Sequence, residues 1–394
     1  MQYCKQCILP DTRPGLVINE DGICNACVNA QSKRDEIDWA GRQQNFLSVV
    51  ESAKSRSRGY DCLVPVSGGK DSTWQIVKCL EYGLNPLAVT WKTPARTDIG
   101  QRNLDNLVSL GVDHIDYQIS PAVEKRFMLK ALRRFGSTAI PMHLALFNIP
   151  LNIASRFNIP LIIWGENSAF EYGTEEEALT GFELNGNWLK KFGVSHATTA
   201  VDWIDDDLTE KELTPYFGPD DETLSHQGIK AVFLGYYFPW DPQESLRVAQ
   251  ANGFKVSEQG PRTGYYNYAD IDDDFISIHH YLKWYKFGFT RTWDNLSLEI
   301  RNGRLTRQQA IEIIRERGDE TPKADIQKFC GFAGISCESF FGIIEKFRNG
   351  DIWHKVNNQW VIKDFLIPDW QWTKGEADEC FGNITPKVGN AFSY

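Results

Sequence analysis

The chain has 394 residues, of which 42% are hydrophobic and 24% are charged, and its net charge is −10. This length allows two or three domains with a large buried core, and the sequence contains no apolar run long enough to span a membrane. The acidic balance argues against a nucleic-acid surface, which is normally basic. Because the first residues lack the apolar core of a signal peptide and nine cysteines suggest reduced thiols or metal ligands, we expect a cytoplasmic protein.

Residues 1–40 are predicted to form a zinc-ribbon-like module. Their cysteines form two Cys-x-x-Cys pairs, with the turn residues Asp21-Gly22 between them. Two facing knuckles supply four thiolates at tetrahedral geometry, which suits a structural Zn²⁺ and leaves no open position for catalysis. Redox chemistry and an iron–sulfur cluster are the alternatives, although no βαβ context precedes the first pair. The predicted zinc ligands are Cys4, Cys7, Cys24 and Cys27.

Residues 41–260 are predicted to form an α/β domain around the loop Ser67-Gly68-Gly69-Lys70-Asp71-Ser72. An apolar run at 61–66 predicts a buried strand before the loop, and apolar residues at helical spacing follow it as far as Gly83. Glycines let the backbone approach a ligand closely, and the first N–H groups of a helix point at an anion. The loop therefore predicts a phosphate site, with an ordinary glycine turn as the alternative. It is not a GxxxxGK[ST] loop, because Asp follows the lysine.

Strands and helices alternate after this loop. We predict strands at 87–91, 114–119, 161–164 and 231–234, and helices at 104–110, 121–135, 142–157 and 242–252. This alternation is typical of a parallel sheet with helices on both faces. Ligands of such sheets bind at the carboxyl ends of the strands, where Ser67, Lys92 and Glu166 are expected to meet.

Two further regions complete the predicted organisation. An acidic insertion near 168–228 interrupts the α/β pattern; its carboxylate runs are typical of solvated faces, and its length also suits an excursion over the site or toward a partner. Residues 261–394 are predicted to be mostly helical, with a mobile tail from Lys374. The predicted C-terminal helices are 275–290, 305–317, 322–332 and 336–349.

After the loop at 67–72, the segment 281–294 is the second candidate ligand-binding segment of the sequence. Aromatic residues alternate there with Lys283, Lys286 and Arg291, so the segment could stack on a base or sugar and pair with phosphates. An amphipathic helix with core aromatics and an exposed basic face is the alternative. His279 and His280 precede it, and paired histidines are more often packed or solvated than catalytic.

The loop at 67–72 resembles the pyrophosphate loop of the N-type ATP pyrophosphatase (PP-loop) superfamily. The resemblance implies a Rossmann-like fold of the adenine nucleotide alpha hydrolase type. Enzymes of this superfamily cleave ATP between its α- and β-phosphates. It also implies that Asp71 holds Mg²⁺, with a helix cap as the alternative. Lys70 and Glu166 complete the predicted catalytic set. Glu166 is a candidate second Mg²⁺ ligand or substrate contact, with a loop glutamate that caps nearby N–H groups as the alternative. The predicted ATP-binding residues are Ser67, Gly68, Gly69, Asp71, Ser72 and Lys92.

The predicted role of Lys92 has an ordinary structural alternative. Lys92 either balances phosphate charge or is a plain surface lysine. The predicted substrate contacts are Asn167, Lys286, Arg291 and Asp294.

The order of motifs along the chain resembles one family within this superfamily. The cysteine pairs, the loop, the Trp-Gly-Glu-Asn turn at 164–167 and the Lys-Phe-Gly-Phe segment at 286–289 resemble the N-acetyl sugar amidotransferases of bacterial surface-polysaccharide synthesis, over most of residues 1–370. The resemblance implies conversion of an acetamido group on a nucleotide-linked sugar to an acetamidino group, in O-antigen or lipopolysaccharide synthesis. It further implies ATP, Mg²⁺ and ammonia from a separate glutaminase, often one that looks like the histidine-pathway pair of glutaminase and cyclase.

The sequence supports a partner glutaminase and leaves two alternatives to the amidotransferase. It contains no cysteine in a Gly-x-Cys-x-Gly elbow that would make its own ammonia. A tRNA-modifying thiolase or lysidine-type synthetase shares the loop and often a zinc site, but needs a basic RNA surface that this acidic chain does not suggest. A scaffold that only binds partners is the other alternative, and the intact loop argues against it.

Overall fold

The computed structural model describes residues 1–372 with the exception of Gly193, Asp319 and Asn358. The tail predicted from Lys374 onward, with Cys380, lies outside the described residues. Within the described part of the chain, no helix has the length and apolarity needed to cross a bilayer.

A parallel sheet of five strands forms the centre of the described structure and confirms the predicted α/β class. In chain order its strands are β1 (Cys62–Pro65), β2 (Pro86–Trp91), β3 (Asp113–Tyr117), β4 (Leu161–Trp164) and β5 (Lys230–Phe233). The spatial order is β3-β2-β1-β4-β5, and Leu63 of β1 lies opposite Leu87 on one side and Ile162 on the other. Because the strand order reverses direction between β1 and β4, their carboxyl ends flank the crevice where such sheets bind ligands.

Helices cover both faces of this sheet. Those of the first 260 residues are α1 (Asn25–Asp35), α2 (Trp39–Arg56), α3 (Lys70–Glu81), α4 (Asp98–Val108), α5 (Pro121–Phe135), α6 (Ile140–Phe157), α7 (Ser168–Tyr172), α8 (Gly186–Phe192), α9 (Asp221–Gln227), α10 (Leu234–Tyr237) and α11 (Pro242–Ala251). Alternate strand residues face opposite cores, as the two-residue period of a strand requires. Leu63 and Leu87 pack with α5 and α6, whereas Val64 packs with α2 and α3.

The insertion at 168–228 packs against α5 instead of standing free in solvent. Trp203 and Tyr216 are fully buried, and both rings contact Phe127. Part of its acidic surface pairs with the same helix, since Arg126 contacts Glu212 at 2.6 Å. Such exposed pairs contribute at most about 1 kcal/mol each, so the buried aromatic residues hold the insertion in place.

The C-terminal region is mostly helical, as predicted, but differs from the prediction in three respects. Its helices are α12 (Ile276–Phe287), α13 (Arg291–Arg301), α14 (Arg307–Arg317), α15 (Lys323–Ala333) and α16 (Cys337–Ile344). Sequence reasoning missed α13 and extended the last helix to 349, although α16 ends at Ile344. It also missed a hairpin of β6 (Trp353–Val356) and β7 (Gln359–Ile362), whose turn includes Asn357 at φ 49°. Asn tolerates this left-handed conformation, which two-residue hairpin turns require.

The N-terminal module with the four cysteines packs into the C-terminal region. Ile8 and Leu9 are fully buried in one apolar cluster with Phe289, Trp293 and Ile352. The first 27 residues therefore share a core with α13, α14 and the hairpin.

Candidate active site

A cleft opens at the carboxyl ends of β1, β2 and β4 and encloses about 550 Å³. This volume lies in the range of small-molecule sites. One wall is the loop at 67–72 with Gly165 and Glu166, and a second is the acidic segment 268–273. The third wall comes from α6 and α12. The cleft is therefore built jointly by the α/β domain and the C-terminal region.

The loop at 67–72 has the geometry of an anion cradle. Gly68 has φ 87°, and Gly69 is the N-cap of α3 without a side-chain cap in the described structure. The backbone N–H of Ser67 donates to Ser72 Oγ at 3.0 Å, which closes the loop on the helix. The first N–H groups of α3 thus remain available to an anion at the positive end of the helix dipole.

The conformation of Gly68 leads to a prediction. A Cβ there would lie 2.7 Å from the Leu104 backbone nitrogen, and an L-residue at positive φ costs about 1–2 kcal/mol in addition. We expect Gly68→Ala to lower the melting temperature by several degrees, at about 2–4 °C per kcal/mol, and to weaken ATP binding. Calorimetry of ATP binding and thermal unfolding would measure both.

Gly111→Ala is the matched control for this substitution. Gly111 also has a positive φ of 99°, but a Cβ there would meet nothing within 4 Å. It should reproduce the backbone strain without the clash or the loss of nucleotide binding. Equal effects of the two variants on ATP affinity would contradict the cradle.

Asp71 and Lys70 both face the cleft. Asp71 lies within the first turn of α3, so the helix-cap alternative is wrong; its Oδ1 accepts from Trp240 Nε1 at 2.9 Å. Lys70 Nζ lies 2.5 Å from Asp71 Oδ2 and near the rings of Trp240 and Tyr268. The lysine side chain is 6% exposed, so its charge is held in the cleft and neutralised by the carboxylate.

Glu166 lines the same end of the cleft. Burial, followed by the nearby negative charge of Asp71, raises the pKa of Glu166 to about 7. Two carboxylates that disfavour each other's charge suit a cation between them, and Mg²⁺ binds through one or two carboxylates plus phosphate oxygens. Asp71 and Glu166 therefore fit the predicted magnesium ligands, and their role stays a prediction.

The acidic segment 268–273 was missed by sequence reasoning. Burial raises the pKa of Asp273 to about 7 and also raises that of Asp272. The backbone N–H of Thr97 donates to the Asp272 carbonyl at 3.1 Å, which pins the segment to the start of α4. The run Asp-Ile-Asp-Asp-Asp at 270–274 was its only signal, because nothing local indicates that these residues reach the loop at 67–72.

The wall opposite the phosphate loop carries histidines and two cations. The ring centroid of His279 lies 5.8 Å from that of His143 and 5.4 Å from that of His280. Burial lowers the pKa of all three, so the imidazoles are neutral near pH 7. Lys283 and Arg291 line the same wall. Neutral imidazoles and cations together suit a polar, partly anionic ligand.

The cations of this wall are held by buried carboxylates. Lys283 Nζ lies 3.0 Å from Asp294, and Arg291 Nε lies 3.0 Å from Asp270. Asp294 is 1% exposed and also accepts from Arg13 Nε of the N-terminal module at 2.9 Å. The predicted substrate contact Asp294 is thus outside the cleft lining and holds Lys283 instead. Arg291 lines the cleft, and its contact with substrate stays a prediction.

Four other predicted binding residues do not line the cleft: Gly68, which supplies the turn of the loop at 67–72, and Asn167, Lys92 and Lys286. Asn167 is a structural anchor: its Nδ2 donates to the Leu179 and Gly181 carbonyls at 2.8 and 3.0 Å. Its Oδ1 accepts from Ala169 N and Trp188 Nε1, so the amide has no capacity left for substrate. Arg96 and Lys283 line the cleft, whereas Lys92 and Lys286 do not.

The four predicted zinc ligands come together at the N-terminus. Their Sγ atoms lie within 4.8 Å of one another, with Cys7 to Cys24 at 3.7 Å and Cys4 to Cys27 at 4.0 Å. Tetrahedral Zn²⁺ with Zn–S bonds of about 2.3 Å requires S···S edges of about 3.8 Å. The backbone N–H groups of Cys7 and Cys24 donate to Cys4 Sγ at 3.4 and 3.3 Å. The donor set and spacing fit zinc.

Three comparisons with known proteins were informative to different degrees, and one of them concerns the C-terminal region. Residues 262–366 match the family model described as "LPS biosynthesis protein WbpG-like, C-terminal domain". This match supports the family that the sequence predicts. No curated protein matches the chain. Among solved structures, NMN synthetase from Francisella tularensis is similar at 15% identity, over 57% of this chain and 90% of that chain, with a TM-score of 0.26.

Proposed function

We propose that this chain is an ATP-dependent, AMP-forming enzyme of surface-polysaccharide synthesis. It would convert an acetamido group of a nucleotide-linked sugar to an acetamidino group, with ammonia supplied by a partner glutaminase in the cytoplasm. One observation carries the proposal. The phosphate loop and the carboxylates Asp71 and Glu166 share a cleft with Lys283 and Arg291, and these two cations come from the WbpG-like region.

The chemistry needs activation, because an amide carbon is a poor electrophile. The amide oxygen attacks the α-phosphorus, a new P–O bond forms, and the bond to the bridging oxygen breaks to release pyrophosphate. Ammonia then adds to the imidate carbon, the C–O bond breaks and AMP leaves. Ammonia must arrive as the neutral molecule, because NH₄⁺ has no lone pair with which to attack. The amide keeps its proton and one ammonia proton is released, so the product is an amidinium ion. The protein has to hold these partners in line and exclude water.

The residues of the cleft divide this work between its two ends. The first N–H groups of α3 and Lys70 would orient the triphosphate, and Asp71 with Glu166 would hold Mg²⁺, which neutralises phosphate charge when bound. Lys283 and Arg291 would contact the nucleotide-linked sugar. Neutral imidazoles in between can accept hydrogen bonds from N–H groups without adding charge.

The separate glutaminase is supported by the remaining cysteines. Cys62, Cys79 and Cys330 are buried in helices or strands, and Cys337 is partly buried. Buried thiols in apolar surroundings behave as small packing residues. None of the described cysteines outside the zinc cluster is placed to attack glutamine.

Mass spectrometry of UDP-linked acetamido sugars, incubated with enzyme, MgATP and ammonium, tests the function. We expect a product in which one oxygen is replaced by NH, with AMP released in equal amount. ADP formation, or AMP formation that does not depend on any of the acetamido sugars, would contradict the proposal. AMP formation that depends on tRNA would instead favour a tRNA-modifying enzyme.

A further inference from the structure

A second, smaller cavity lies behind the histidine wall of the cleft. It encloses about 80 Å³ and lies within the C-terminal region. This space admits a few molecules of the size of water or ammonia, but it is too small for a sugar or nucleotide. Its aromatic lining consists largely of Trp284, Trp293, Trp353, Trp360, Trp370 and Trp372.

The small cavity and the main cleft share two lining residues. His280 and Arg291 line both spaces, so they form the wall between them. His280 is 5% exposed, and its Nδ1 has no hydrogen-bond partner among the described residues. A buried ring nitrogen without a partner is costly, and a small N–H donor at this point would satisfy it.

We propose that this Trp-lined cavity is the ammonia entry of the enzyme, with His280 Nδ1 accepting a hydrogen bond from ammonia at the wall. The inference rests on the proposed function. It assigns ammonia and ATP to different sides of the cleft. Ammonia would reach the imidate from behind the histidine wall, while ATP binds at the phosphate loop.

Burial at the wall determines which form of ammonia passes. Burial, followed by the charge of Arg291, lowers the pKa of His280 well below its ordinary value, so its imidazole stays neutral. Arg291 is paired with Asp270 at 3.0 Å, and Glu320 on the cavity side is paired with Arg317 at 3.6 Å, so these charges are compensated. Crossing the buried wall would cost NH₄⁺ its hydration, whereas neutral NH₃ loses far less, so NH₄⁺ leaves its proton with solvent outside. The reaction consumes the same neutral species.

Steady-state kinetics with ammonium as the probe test the entry. Thr263 lines the cavity from a loop, and Thr263→Trp should fill it. We expect the KM for ammonium to rise roughly tenfold or more, while the KM for ATP and sugar-dependent ATP–pyrophosphate exchange stay unchanged. Val356→Trp is the matched control, because Val356 is 51% exposed in the same region and does not line the cavity. An unchanged KM for ammonium in folded Thr263→Trp would overturn the inference.

A widening variant covers the case in which Thr263→Trp does not fold. Trp360→Ala should enlarge the cavity and raise the use of methylamine relative to ammonia roughly tenfold, detected as an N-methylamidine by mass spectrometry. Unchanged methylamine use in the folded variant would overturn the entry. If the wild-type protein forms no amidine at all, the proposed function fails and the entry fails with it. If it forms amidine and neither variant shifts nucleophile use, only the entry fails.

Discussion

Asp71→Asn is expected to lower sugar-dependent AMP formation by roughly 10²–10³-fold or more. Asn keeps the size of the side chain and an oxygen that can accept from Trp240 Nε1, so the fold should be retained. It removes the negative charge that pairs with Lys70 and that would hold Mg²⁺ beside Glu166. The loss of activity should therefore appear in kcat, and the melting temperature should also fall, because the buried ammonium of Lys70 loses its counter-charge.

Glu81→Gln is the matched control on the same helix. Glu81 ends α3, is 50% exposed and forms a surface pair with Lys78 at 2.6 Å. Removing one exposed charge there should leave AMP formation within about twofold, because surface pairs contribute little. AMP release followed by chromatography, with circular dichroism for the fold, measures both variants. Near wild-type AMP formation by Asp71→Asn would rule out this end of the cleft as the site of nucleotide chemistry.

The sequence was sufficient for the phosphate loop because its signals are local. A buried strand, two glycines and a helix follow one another, and the structure places β1, Gly68 and α3 in that order. Each element is specified by its own periodicity or backbone freedom. The same holds for α11, predicted at 242–252, where Asp241 is the N-cap and accepts from the N–H groups of Gln243 and Glu244.

The other walls of the cleft could not be predicted, because their partners are distant in sequence. Asp270 meets Arg291, and Lys283 meets an aspartate buried in α13, and no local pattern indicates either pairing. Asn167 was predicted to contact substrate because it follows a strand end, yet its amide holds the insertion. Position at a strand end marks the site, but side-chain direction decides which residues face the ligand.

Helix α13 shows the limit most clearly. Most of its residues are buried, including Asn295, Ser297, Glu299 and Arg301. Trp293, Leu296 and Ile300 recur at helical spacing and could have indicated this helix, but nothing local indicates that its polar face is buried as well. Glu299 accepts from Tyr266 and is paired with Arg304 at 2.6 Å, and such contacts become visible only in the folded chain.

The four-cysteine cluster links the N-terminal module to the candidate active site through Arg301. This side chain is 4% exposed; its Nη2 lies 4.0 Å from Cys7 Sγ, and its Nη1 donates to the Glu171 carbonyl at 3.0 Å. Glu171 belongs to α7, the helix that begins two residues after Glu166. If the cluster binds zinc, its thiolates would supply the counter-charge of a guanidinium that supports the segment carrying a predicted magnesium ligand.

Cys7→Ser is accordingly expected to abolish zinc binding, destabilise the protein and lower AMP formation together. Structural zinc contributes about 10–16 kcal/mol in small zinc domains, and leaving a buried charge such as that of Arg301 unpaired costs about 3–5 kcal/mol. The unpaired charge of Arg301 alone should lower the melting temperature by about 6–20 °C, at about 2–4 °C per kcal/mol.

Metal analysis, thermal unfolding and AMP formation would measure these three effects. Cys337→Ser is the control, since Cys337 lies outside the cluster and is only partly buried; it should keep zinc, stability and activity. A metal-free wild-type protein with full activity would show that the cluster is not a zinc site. If Cys7→Ser instead lost zinc but kept normal AMP formation, the cluster would be a separate anchor, and Arg301 would not couple it to α7.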